Sequence, residues 1–564
     1  MTTYTNPVID ADWPDPDVVR VGDDYYLVAS SFNRAPGLPV LHSRDLVTWE
    51  HVTNALPALP PLDHFSLPRH GGGVWAPSLR HHDGTFYLTY PDPDHGIYVL
   101  TATDPRGPWS APHLLLAGRG IIDPCPLWDD DGRTYLVHGW AKSRSGVKNR
   151  LTLVEVDAGL RSVVGPSSTV VDGDAIPGCS TLEGPKMHRR DGWYWIFAPG
   201  GGVATGWQYA FRSRDVRGPY EHRTVLEQGP SDVNGPHQGA WVEATDGTDW
   251  FVHFQDRGPY GRVVHLQPMV WQPDGWPRIG ATTDDEAHAG NPVRTHVVPG
   301  SAGPADAAEP ADRPDRALLA PSATPGATGP VVDRAASEPS RDDDFRATTL
   351  APRWHWQANP SEHWARLDGD GVVRLSIEPV DRGSLREVPA VLGQQLPGTP
   401  HTATTSLLLA VGLPGGPGVS STPDHRAGLV VLGTAYAWIG IEVTDGVTHL
   451  VCRESVDPDE AGDAGPAESD LHAPVLLDRH PETDTPVALS LRSSTAADGE
   501  VTFSWRLGQG PWQEAEQTFT AREGRWIGAE LGLFACGPVG PPALDASGSS
   551  ARATFGPFSV HLAL

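Results

Sequence analysis

Three carboxylic acids, Asp15, Asp123 and Glu183, stand one or two residues ahead of a proline (Pro16, Pro124, Pro185) and 11, 12 and 12 residues ahead of an aromatic residue (Tyr26, Tyr135, Trp195). Acids at one offset from a repeated anchor belong to equivalent places on repeated units, so they converge on one axis. Three carboxyls around a dry, aromatic-lined cavity can divide the work of hydrolysing a glycosidic bond with inversion. One stays protonated to release the leaving group, and one is ionised to activate water from the opposite face. The third, by like-charge repulsion, keeps the acid protonated near neutral pH. Glu183 has the longer reach and suits the acid. The competing reading is that an acid beside a turn only caps a strand or binds loop N–H groups. It serves for any one of them and poorly for three at matching positions.

The elements that must hold these acids repeat. DYYLV (Asp24 to Val28), DGTFYL (Asp83 to Leu88), DGRTYL (Asp131 to Leu136), DGWYWI (Asp191 to Ile196) and DGTDWFV (Asp246 to Val252) each place a turn signal before an aromatic strand. Their anchors Tyr26, Tyr87, Tyr135, Trp195 and Trp250 are 61, 48, 60 and 55 residues apart, the period of a propeller blade. Prolines precede all five anchors (Pro16, Pro77, Pro124, Pro185, Pro236), as tolerated on a strand whose edge faces the channel. A residue before proline is pushed toward extended backbone, which is expected to aim Asp15 and Asp123. VLHSRDLVTW (Val40 to Trp49), IYVLTATDPRGPW (Ile97 to Trp109) and YAFRSRDVRGPY (Tyr209 to Tyr220) read as third and fourth strands of their blades. A propeller of five blades is expected over residues 1–285.

From Pro277 to Asp344 there is no Phe, Trp or Tyr, and residues 300–340 hold 11 Ala and 7 Pro. Residues 286–340 therefore read as a linker or extended strap. Aromatics return at Phe345, Trp354 and Trp356, and residues 341–564 read as strands without the blade period, around Val373, Leu408, Leu429, Ile441, Val501, Ile527 and Phe558. Two packed antiparallel sheets are expected there. The fold class is thus all-β, a propeller followed by a β-sandwich.

Seventy acidic residues against 42 basic ones give a net charge of -28, which argues against nucleic acid or an anionic membrane as partner. Four scattered cysteines lack metal-type spacing and read as buried free thiols. The opening MTTYTNPVIDADWPDP has no basic segment before an apolar run, so a cytoplasmic protein is expected. No run is long and apolar enough for a membrane helix. Neither GGG segment is followed by G-K-[ST], and no G-x-S-x-G occurs, which sets aside a phosphate loop and a serine hydrolase.

WPDPDVVRVGDDYYLVASSF (Trp13 to Phe32), GGVWAPSLRHHDGTFYLTY (Gly72 to Tyr90), IIDPCPLWDDDGRTYLVHGW (Ile121 to Trp140), EGPKMHRRDGWYWIFAPGGG (Glu183 to Gly202) and the stretch from Gly235 to Gly280 resemble glycoside hydrolase family 43. The resemblance implies a five-bladed propeller and inversion, with Asp15 as general base, Glu183 as general acid and Asp123 tuning and orienting that acid. It implies sugar contacts from Trp75, Arg262 and Phe32, with His237 central in the channel. No cofactor is required. A structural calcium, largely water-coordinated, is an option beside His237. DDDFRATTLAPRWHWQANP (Asp342 to Pro360) and EGRWIGAELGLFA (Glu523 to Ala535) resemble the concanavalin-like sandwich of the family's β-xylosidase branch, which is expected to close the pocket. The chain departs from that branch at Arg34 and Ala35, where aromatics are common, and in ARATFGPFSV (Ala551 to Val560), where an acidic strand is usual.

The leading expectation is an exo-acting glycosidase releasing β-D-xylose from xylo-oligosaccharides. An α-L-arabinofuranosidase is the rival enzyme, and a non-catalytic carbohydrate-binding propeller or a protein-interaction scaffold are rivals of other classes. The partner is an oligosaccharide, and self-association is left open.

Overall fold

A computed structural model of the chain describes residues 1–282, 288–300, 332, 341–380, 384–409, 425–444, 447–455, 468–477, 487–538 and 552–563. Five four-stranded antiparallel sheets follow one another in chain order, and each pairs its strands strictly in sequence. They are the five blades of a propeller. Blade 1 comprises Asp17–Val21, Asp24–Val28, Gly37–Ser43 and Glu50–Leu56. Blade 2 starts at Ser78–His82, blade 3 at Ile121–Trp128, blade 4 at Lys186–Arg190 and blade 5 at His237–Glu243. Every aromatic anchor lies on the second strand of its blade, and all but the half-buried Tyr87 are buried. There the second strand is flanked on both sides, so a large ring fills the seam to the next blade.

The segments read as paired third and fourth strands prove to be third strands (Gly37–Ser43, Gly96–Ala102, Trp207–Ser213) plus the turn beyond. The fourth strands start later, at Glu50, His113 and Glu221. Their tight S-R-D and D-P-R turns carry the polar residues that looked like strand alternation.

The ring is closed by residues far apart in sequence. The third strand of blade 5, Arg262–Trp271, pairs with Pro277–Ile279 only at its far end, from Met269 to Trp271. Its near end is filled by the N-terminal segment. Val8 N–H donates to the Val264 carbonyl at 2.8 Å, and the Asn6 side-chain amide donates to Leu266 at 2.8 Å. Thr3–Thr5 then pairs with Thr295–Val297. That strand falls inside the stretch read as a linker, the rest of which lies almost wholly outside the described residues.

The C-terminal part is a sandwich. One sheet is ordered His355–Trp356, Leu392–Gln395, Glu530–Gly537, His425–Leu432, Tyr436–Thr444, Val447–Ser455, Glu468–Leu476. The other is built on Val373–Ser376, Arg552–Phe555, His401–Leu409, Val487–Thr495 and Glu500–Leu507. Trp356, Leu429, Ile439, Leu491, Phe503, Trp505, Leu533 and Phe555 fill the space between them. Ile527, expected on a strand, lies in a bend just before Glu530–Gly537, and Phe558 makes only an isolated bridge with Asp343. Glycines at 524 and 528 allow the chain to turn sharply around Ile527. Cys125, Cys452 and Cys536 are buried free thiols and Cys179 is half-buried.

Candidate active site

The acids gather at the mouth of the channel, each from the start of a different blade. Asp15 directly precedes blade 1. Asp123 lies inside the first strand of blade 3, where the register slips between Ile122 and Cys125. Glu183 stands three residues ahead of blade 4. Asp15 and Asp123 were expected in extended backbone ahead of their prolines. Both are left-handed instead, with φ of 55° and 57°. An Asp tolerates this region better than most residues, and the site bonds hold it there. The Ser30 hydroxyl donates to Asp15 at 2.5 Å and Arg262 Nη1 donates to it at 3.0 Å. The Gly184 N–H donates to Asp123 at 2.8 Å. Backbone held in this way concentrates at functional sites.

The E-G-P sequence has a local reason. Gly184 has a φ of 58°, and a Cβ there would meet the Gln238 side chain at 2.9 Å and the Pro199 ring at 3.0 Å. Only glycine lets the chain turn here and present its N–H to Asp123. The second strand of blade 3 is close as well. A Cβ on Gly139 would lie 3.5 Å from Asp123 Oδ2 and 3.6 Å from Glu183 Cα.

Burial, with the charges of Asp123 and then Asp15 beside it, pushes the Glu183 carboxyl up to about 8 against the weaker pull of Arg262. Burial likewise raises Asp123, to about 7, with Asp15 adding to the rise while the Gly184 N–H, Lys186 and Gln238 oppose it. The two groups titrate as a pair, and burial with the neighbouring carboxylates moves Glu183 upward, toward its protonated form. A quarter of its side chain stays accessible, so it opens toward the cavity.

The other expected residues fall around this centre. Arg262, 8% exposed, reaches Asp15 and lies 4.9 Å over the Phe254 ring. Phe32 is buried with a φ of 49°, and its ring is 6.1 Å from that of half-buried Trp75. His237 is fully buried, with Nε2 3.8 Å from Glu183 Oε1, and burial lowers it to about 3, so it is neutral. Neither of its ring nitrogens has a hydrogen-bond partner among the described residues. A hard cation such as calcium needs six to eight oxygens. Among the described residues no group of three or more His, Cys, Asp or Glu is arranged to hold a metal. The residues present therefore do not fit a protein-caged calcium, and no step below runs through one.

Two features escaped the sequence reading. Trp526, on the sandwich loop before Glu530–Gly537, is 46% exposed and edge-on to Trp75 at 6.5 Å. The sandwich thus reaches Trp75 of the propeller. A buried polar chain also crosses the domain boundary. Arg34 binds Glu530 at 2.5 Å and Asp12 at 2.9 Å, and Asp12 accepts the Arg262 backbone N–H at 3.0 Å. His355 lies 3.0 Å from the same Glu530. Burial would raise Glu530, but His355 and Arg34 outweigh it and hold the carboxyl at about 2. Arg34, where an aromatic was anticipated, is engaged in docking the sandwich. Its only advance signal was an arginine at a position where the family's xylosidases commonly carry an aromatic.

A propeller whose channel mouth gathers three acids, rimmed by tryptophans and capped by a sandwich, is the architecture of a carbohydrate hydrolase. Residues 4–277 match the glycosyl hydrolases family 43, and residues 342–560 match the β-xylosidase C-terminal concanavalin A-like domain. A non-reducing end α-L-arabinofuranosidase of Bacteroides ovatus is 35% identical over 454 residues, 76% of this chain and 73% of that one. A β-xylosidase of Formosa agariphila is 28% identical over 571 residues, 94% of this chain and 87% of that one. The fold of a xylan β-1,4-xylosidase from Bacillus halodurans superposes with a TM-score of 0.75 at 24% identity, over 99% of this chain and 100% of that one. The chain belongs to glycoside hydrolase family 43, and it is a glycosidase.

Proposed function

We propose that the protein is an exo-acting, inverting β-xylosidase that releases xylose from the non-reducing end of xylo-oligosaccharides. The observation that carries this is the convergence of Glu183, Asp123 and Asp15 from three blades, where burial and the two aspartates raise Glu183. Glu183 donates its proton to the glycosidic oxygen as the bond to the anomeric carbon breaks. Asp15 takes a proton from water, which attacks that carbon from the opposite face. Arg262 and Ser30 orient the base, and Asp123, held by Gly184, keeps the acid protonated. Two carboxyls on separate blades suit the ~6.5–9.5 Å separation that leaves room for this water. Trp526 narrows the mouth on the sandwich side, which suits removal of one terminal sugar.

Xylose as the sugar is supported by the kinship of the sandwich with the β-xylosidase domain. A second reading, an α-L-arabinofuranosidase, is favoured by the Bacteroides ovatus relative. Hydrolysis of xylobiose and of the nitrophenyl β-xyloside, set against the nitrophenyl α-arabinofuranoside, separates them. Proton NMR of the first product should show α-xylose from a β-linked substrate. β-Xylose appearing first would overturn the mechanism, and a strong preference for the arabinofuranoside would overturn the sugar.

A further inference from the structure

The pocket rim carries charge opposite to that of the molecule. Trp75 and Trp526 form an edge-to-face pair at its opening. Arg525 lies 5.1 Å over the Trp526 ring, and Arg144 lies 5.9 Å over the Trp75 ring. Arg525 is exposed and makes no ion pair among the described residues. Arg144 comes from the short turn Lys142–Ser145 that continues the second strand of blade 3, the blade that supplies Asp123. It shares one carboxylate, Asp94, with Arg119 at 3.1 Å each. The nearby Asp92 lies 3.1 Å from His95. Arg144 and Arg119 are thus offset by Asp94 and Asp92, and the unpaired Arg525 leaves a positive charge at the rim of a chain of net charge -28.

The arrangement around Trp526 is built. Trp526 has a φ of 66°, which a bulky residue adopts only under constraint. Gly71, with a φ of 76°, sits beneath it. Its carbonyl accepts the Trp75 indole N–H at 3.0 Å, and a Cβ there would collide with Arg525 Cγ at 2.5 Å. The glycine thus lets the two tryptophans and Arg525 close up from different domains.

We propose that this rim is a leaving-group subsite for a sugar bearing a carboxylate, so that the enzyme acts on acidic, uronic-acid-substituted xylo-oligosaccharides. The proposal rests on the glycosidase reading above. A pyranose stacks its apolar face on an indole, and a uronate projects its carboxylate from the ring edge. An arginine lying over each indole is placed to meet that group, and its planar fork matches a carboxylate.

The test compares kcat/KM for xylotriose and for a xylotriose carrying glucuronic acid on the reducing-side unit, in about 50 mM salt. The acidic substrate is expected to be the better one, and about 0.5 M salt should erase its advantage. Arg525→Gln should lower the acidic-to-neutral ratio about fivefold, the size of an exposed arginine–carboxylate contact, and Arg525→Glu should lower it further. An unchanged ratio in both variants overturns the proposal, as does equal loss on both substrates. If neither trisaccharide is cleaved, the β-xylosidase reading fails by itself. Calorimetric titration of the acidic trisaccharide then decides this one: binding weakened by Arg525→Glu supports it, and binding unaffected by that change overturns it.

Discussion

Replacing Asp123 by Asn removes a carboxylate from beside Glu183 while keeping the shape that accepts the Gly184 N–H. Glu183 stands at about 8 against an ordinary 4.5, with burial the first cause and Asp123 the second. A like charge at close range moves a carboxyl by roughly 1–3 units. Burial rather than Asp123 is the larger cause of the rise, which favours the lower end of that range. The acid is active while protonated, and activity falls as pH rises through its pKa. The alkaline limb of kcat/KM, which reports the free enzyme, should therefore move down by about one unit in Asp123→Asn. The assay is xylobiose hydrolysis from pH 5 to 9 at constant ionic strength, with circular dichroism to confirm folding. A limb that stays in place, or moves up, refutes the electrostatic role of Asp123.

Three more outcomes are expected. Asp15→Ala should fold and lose at least the 10²–10⁴-fold that a positioned base contributes; near-normal turnover would remove Asp15 from the mechanism. Glu183→Ala should lose far more activity on xylobiose, whose leaving group needs a proton, than on a nitrophenyl β-xyloside, whose leaving group does not; equal losses contradict the acid role. Glu530→Ala leaves Arg34 with Asp12 as its remaining anion and His355 without a partner carboxylate, which should cost about 1–3 kcal/mol in denaturant unfolding. It should also reduce kcat through Asp12 and Arg262, and a variant of unaltered stability would show that the polar chain is incidental.

The residues that repeat were legible before the fold was known. The anchors from Tyr26 to Trp250 and the acids beside Pro16, Pro124 and Pro185 declare themselves because each blade needs a turn, an aromatic strand and an inner edge. What could not be read are contacts made once, between distant segments. Nothing near Arg34 announces that its partner is Glu530, and nothing near Trp75 points to Trp526. The left-handed Asp15 and Asp123 ran against the local rule for residues before proline, because Ser30, Arg262 and Gly184 supply bonds that no local rule contains. The N-terminal segment completes blade 5, and nothing in its own residues says so. Its partner strand, Thr295–Val297, lies in a stretch whose composition gave no sign of it.

That closure also sets a timetable for a ribosome. The segment around Val8 and Ile9 is made roughly 250 residues before its partner Val264. At about 5–20 residues per second, it waits on the order of 10 to 50 s. Throughout that wait the apolar side chains of Tyr4, Val8 and Ile9, buried against blades 1 and 5 in the finished ring, have nowhere to go. Asp10 must wait longer still for Gly398 and Thr399 of the sandwich. The propeller is therefore sealed late, by a segment made before its first blade, and the nascent chain is most exposed to misassociation just before its last blade is complete.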